Sequence, residues 1–226
     1  MGRRIGGAGG GSDKGGVSGA AVVVAVAGVL AVGGAGFAGL EGATVSSGGA
    51  AESLTGPNLA VRKAEGQKSA RKGEAKQAWQ KMGMRELKKT VKQDISCLAH
   101  SHGKVREFFL RTPCTSLDRI LLAVGDGQGN TMLVSVVWVG FRTKTQAADF
   151  KRVEDVPGSG DITPLGASLL TMTEIRFTGN HYKPRLDGKT LVIAETETAT
   201  GHFGEDVLDA VADVAVYLPD VERAKR

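Results

Sequence analysis

The chain has 226 residues, 41% of them apolar, which is enough for one domain or two small ones if the apolar residues are spread along it. Its net charge of +5 is local: residues 60–92 carry eleven Lys or Arg against three Glu, whereas residues 93–226 carry fifteen basic and eighteen acidic side chains. The larger part is therefore net acidic and has no platform of aromatics interleaved with basic residues, so no nucleic-acid partner is expected.

Residues 1–16 form a Gly-rich tail carrying Arg3, Arg4 and Lys14, and 17 of the 33 glycines fall within the first 50 residues. Residues 17–40 then run for 24 positions without a charge and are rich in Val and Ala. A helix of that length would reach about 36 Å, enough to cross a hydrocarbon core of about 30 Å. A transmembrane helix is therefore expected. A cleaved signal peptide ending near Gly42-Ala43 is the alternative, and it too would send the rest of the chain through the membrane. Residues 41–60 contain no Lys or Arg, so the positive-inside rule places residues 1–16 in the cytoplasm and everything beyond 40 outside it. The opposite topology would turn the basic run into a lipid-binding patch on the cytoplasmic face.

Residues 41–76 read as a flexible linker that becomes basic toward its end, and residues 77–226 as one extracytoplasmic domain. From about 78, Trp79, Met82, Met84, Leu87, Val91 and Ile95 line one side of an expected helix docked on that domain. Further on, LDRILLAV (117–124) and TMLVSVVWVGF (131–141) are β-branched runs separated by GDGQGN, the pattern of a hairpin. A helix over 144–155 follows. Next come a strand near 171–183, a turn at Asp187-Gly188, a strand over 189–197 and a helix over 204–218 that ends before Pro219. Two successive strand-strand-helix units predict an α+β fold with a four-stranded antiparallel sheet and helices packed on it. The strand at 131–141 is apolar on both faces and is expected to be central.

Three chemistries are disfavoured. The glycines of GDGQGN lead into a strand rather than a helix, so they read as a turn and not as a phosphate cradle. No G-x-S-x-G motif is present, and Ser159 lies in a loop. Glu195 and Glu197 share one side of a strand, as a carboxylate pair would, but a strand end leaving the core places them in solvent equally well. No catalytic residues, cofactor or metal are assigned. His181, Tyr182, Lys183 and Arg185 flank a turn and form a candidate site for an anionic ligand such as a carboxylate or phosphate of the cell envelope.

The two cysteines lie in CLAHSHGKVREFFLRTPC (97–114) with His100 and His102. The four side chains could supply zinc ligands, but the spacing C-x2-H-x-H-x11-C lacks two close pairs, and outside the cytoplasm a Cys97–Cys114 disulfide is favoured. A straight helix would hold their Cα atoms about 25 Å apart, whereas a disulfide needs less than about 7 Å. The chain must therefore turn near Ser101-His102-Gly103 into a second helix over 104–111. Taken together, the sequence implies a membrane-anchored, non-enzymatic binding module outside the cytoplasm. Its expected partners are the membrane and an anionic envelope polymer or a protein. A zinc domain or metal-dependent enzyme using Cys97, His100, His102 and Cys114 is the alternative.

Overall fold

The computed structural model of the protein describes residues 56–173 and 175–220. The tail at 1–16 and the segment at 17–40 expected to span the membrane lie outside these residues. Among the described residues no helix is long and apolar enough to cross a membrane.

β2 (Ser116–Gly125) and β3 (Thr131–Gly140) form the expected hairpin, in register from Ser116 opposite Gly140 to Gly125 opposite Thr131. The Asp126 carboxylate closes its turn by accepting the Gln128 and Asn130 backbone N–H groups and the Asn130 side-chain amide. β5 (Thr190–Thr200) pairs with the far side of β3, and β4 (Tyr182–Asp187) pairs with β5. β3 is central and is buried at nine of its ten positions, because both its faces carry apolar side chains.

The sheet has five strands, not four, in the order β1-β2-β3-β5-β4, all antiparallel. The additional strand, β1 (Arg85–Asp94), comes from the stretch expected to continue as a helix. Only its beginning is helical: α2 (Ala75–Lys81) is capped by Met82, and Gly83, with a φ of +73°, turns the chain into the strand. Trp79, Met82 and Met84 are buried as expected, but Leu87 and Ile95 are exposed. β1 is an edge strand, and Lys88, Lys89 and Lys92 along it discourage pairing with another chain. Its polar composition is what an edge requires and also what hid it. The strand expected near 171–183 begins only at Tyr182, after a short 3-10 turn at Ala167–Leu170.

Helices cover both faces of the sheet. On one, α1 (Gly56–Arg71), α2 and α5 (Glu205–Ala215) pack over Ile120, Leu122, Val134, Val136, Val192 and Ala194. Helix α1 lies within the stretch expected to be a flexible linker. Leu59 and Ala70 are buried, and the Lys63 ammonium and Gln67 amide bond the Asp213 side chain and carbonyl on α5. Burying the Leu59 side chain contributes roughly 1.5–3 kcal/mol, more than the partly exposed ion pair.

On the opposite face, α3 (Gly103–Arg111) and α4 (Lys144–Glu154) pack over Leu117, Val137, Val139, Leu191 and Ile193. Phe108, Phe109, Phe141 and Phe150 form an aromatic nucleus there, with Phe109 and Phe150 centroids 4.8 Å apart. A separate apolar cluster on this face joins Leu121, Ala123 and Leu133 to Leu165, Ala167 and Leu170 of the long connection after α4.

Candidate functional site

Strand alternation and register place one polar row on the α3/α4 face of the sheet. Ser135 on β3 lies opposite Glu195 on β5, and Glu195 lies opposite Tyr182 on β4. Glu154 stands above them, because the spacing Ala147, Phe150, Glu154 puts it on the buried stripe of α4. The connection after α4 brings Asp161 alongside. Glu195, Tyr182, Glu154 and Asp161 line a cavity of about 630 Å³, with Asp155, His102, Phe177, Thr178 and Asn180 around them.

Glu154 and Glu195 are 8% and 6% exposed, and each keeps one carboxyl oxygen with no hydrogen-bond partner, Oε1 and Oε2 respectively. Burial, reinforced by the charges of Asp161, Glu195 and Asp155, pushes Glu154 up to about 9. Burial and then Asp161 push Glu195 up to about 8. Burial also raises Asp161, opposed by the Ile162 N–H that it accepts and by the charge of His102. Burial therefore favours the protonated forms of Glu154 and Glu195, and Asp161 beside Glu195 adds to the effect there. The Tyr182 phenol is raised above its ordinary range by burial and by Glu154, and it donates to Asp155 Oδ1 at 3.3 Å. Lys151 pairs with the other oxygen of Asp155.

The corner expected as a turn between helices builds one wall. His102 is the N-cap of α3, and its N–H donates to the Asp161 carbonyl at 3.0 Å, while Thr163 N–H donates to His100 O at 2.7 Å. Ser101 and Ile162 form an isolated antiparallel bridge between these hydrogen bonds. Gly103 (φ +60°) and Gly160 (φ +115°) meet backbone to backbone: a Cβ on Gly103 would lie 2.5 Å from Ser159 O, and one on Gly160 would collide with His102 O. Cys97 and Cys114 are joined by a disulfide with Cα atoms 6.1 Å apart, which closes the loop carrying this wall. With both sulfurs committed to each other, neither is a thiolate for a metal. His100 Nε2 instead lies 3.3 Å from Asp94 Oδ1, on a carboxylate held below its usual range first by hydrogen bonding from Arg119. Among the described residues no group of three or more His, Cys, Asp or Glu is placed to hold a metal ion.

The four residues expected to form an anion site do not converge. Tyr182 faces the acid-lined cavity. His181 and Lys183 meet Asp209 of α5, at 3.3 and 3.5 Å. Arg185 donates to Val216 O at 2.7 Å and lies against the Tyr217 ring, which Arg71 covers as well. Sequence reasoning misses the cavity's own acids. It leaves Glu195 in solvent, yet the connection after α4 covers that residue. An acid on the stripe of α4 is the one signal in the sequence that marks Glu154. The chain matches no protein-family model, no curated protein and no solved structure.

Proposed function

We propose that the chain is a single-pass, extracytoplasmic binding module of the cell envelope and that its ligand enters the cavity between α4, β4, β5 and the disulfide-closed corner. The observation that carries the ligand site is the pair of buried carboxyls, Glu154 and Glu195, each with an oxygen that finds no hydrogen-bond partner among the described residues. Such groups cost stability and contribute nothing to packing that an apolar side chain of similar size would not. They suit a concave site in which the carboxyls turn toward a ligand that supplies the missing partner. The uncharged run at 17–40, its basic flank and the cysteine pair support the membrane anchor and the location outside the cytoplasm. The reading is one of binding rather than turnover.

Replacement of Glu154 by Leu tests the site. If the carboxyl serves a ligand and not the fold, Glu154→Leu should stabilise the protein by about 1 kcal/mol, a rise in Tm of about 2–4 °C for a domain of this size. A fall in Tm of similar size would make Glu154 a structural residue and overturn the assignment. The location is tested on purified protein by thiol counting before and after reduction. Two free thiols with bound zinc would overturn the disulfide reading and favour the metal-binding alternative.

A further inference from the structure

We propose that the ligand of this cavity is a small polar molecule bearing a primary ammonium group, a reading that rests on the cavity being the ligand site and adds its chemical class. The titratable groups that face it come from every side: Glu154 on α4 and Asp155 at its C-cap, Asp161 on the following connection, Glu195 on β5 with Glu197 beyond it, Tyr182 on β4, and His102 at the start of α3. Lys151 is engaged with Asp155, and among the lining residues only His102 is basic. The site is thus rich in carboxyls and poor in cations, and the two oxygens without partners belong to its two most buried acids.

A metal ion would relieve the same imbalance, but among the described residues no set of ligands is placed to hold one, and about 630 Å³ far exceeds what an ion occupies. An ammonium group needs less: three N–H donors, one or two carboxylate acceptors and, where present, an aromatic face. Phe177 and Tyr182 supply the rings, while Thr178 and Asn180 supply hydrogen-bonding groups for a polar body. Seating the cation beside Glu154 and Glu195 favours their ionised forms, so binding at neutral pH releases protons to solvent. The bonds formed are N–H···O contacts. No covalent step is involved.

The test uses the full-length chain in detergent with putrescine as the probe and butane-1,4-diol as its uncharged counterpart, read through the backbone amide resonances of Gly158, Gly160 and Gly179. Putrescine should shift these amides and release protons, seen as a binding enthalpy that depends on the ionisation heat of the buffer. The diol should do neither. Glu195→Gln and Glu154→Gln, which preserve shape, should each weaken binding at least tenfold, with the remaining spectrum unchanged. Equal shifts from the diol would overturn the ammonium assignment and leave the cavity as the ligand site. Shifts confined to other parts of the protein, or none with either probe, would overturn both. A response to calcium chloride at these amides in place of the diamine would replace the organic cation with a metal.

Discussion

Glu154 shows how one residue can be anomalous in the sequence and become intelligible only in the fold. It occupies the buried stripe of α4 with Ala147 and Phe150, so helical periodicity alone marks an acid where an apolar residue is expected. Glu195 leaves no such mark, because alternation along β5 is the same whether the face is covered or open. Only the connection after α4 decides which. Both acids bind protons more tightly folded than unfolded, Glu154 at about 9 and Glu195 at about 8. Between the ordinary carboxylate range and those values the native state holds protons that the unfolded chain has lost, so stability falls as pH rises. The slope is up to about 1.4 kcal/mol per pH unit per group. Asp94 is lowered instead, and its contribution is lost only toward acid pH. Denaturant titrations should therefore show the protein more stable at pH 5 than at pH 8 by on the order of a few kcal/mol. Glu154→Gln should flatten that dependence. A profile flat from pH 5 to 8 in the parent protein would mean that the two carboxyls are ionised in the fold.

At the scale of elements, the disulfide and the cavity are one construction. The requirement that Cys97 and Cys114 approach each other dictates the break at Ser101-His102-Gly103 and the helix after it, and both are present. That residues 159–163 bond to the same corner is not legible in the sequence, since the contact is made between loops separated by two helices, α3 and α4, and two strands. β1 is hidden for a related reason: an edge strand carrying four lysines and arginines has little apolar alternation, so Trp79, Met82 and Met84 extend an apparent helical pattern into residues 85–94. Two variants separate staple from wall. Cys97→Ser with Cys114→Ser should cost about 3 kcal/mol through the freed loop, measured by chemical denaturation, with the far-UV spectrum retained. Gly160→Ala should cost at least as much without touching the disulfide, because it combines a φ of +115° with a collision against His102 O. Gly158→Ala, at φ +74° with open space around it, should cost less. Equal losses at Gly158 and Gly160 would mean that backbone strain alone, and not the packed wall, governs this corner.

At the scale of the whole molecule, the repeated pattern of strands and helices is legible because β2, β3 and β5 contain apolar runs bounded by turn residues and α5 carries a strong helical period. Helix α1 is not, since a sequence rich in Ala, Lys and Arg packs through few large apolar residues and gains its place from contact with α5. The stretch expected as a linker over 41–76 thus contains a packed helix from Gly56, which gives topology a sharper test. Residues 41–61 contain no Lys or Arg, and the first basic positions beyond them, Arg62 and Lys63, lie in α1 with side chains bonded to Asn58 and Asp213. Trypsin added to intact cells should therefore leave the domain attached. Elastase, which cuts after small apolar residues, should release it by cleavage among the Ala, Val and Ser of 43–51. Without reductant the fragment should keep the Cys97–Cys114 bond. Protection from elastase until the cells are lysed would reverse the orientation. Release by trypsin as readily as by elastase would show that α1 does not hold to α5 in the full-length chain.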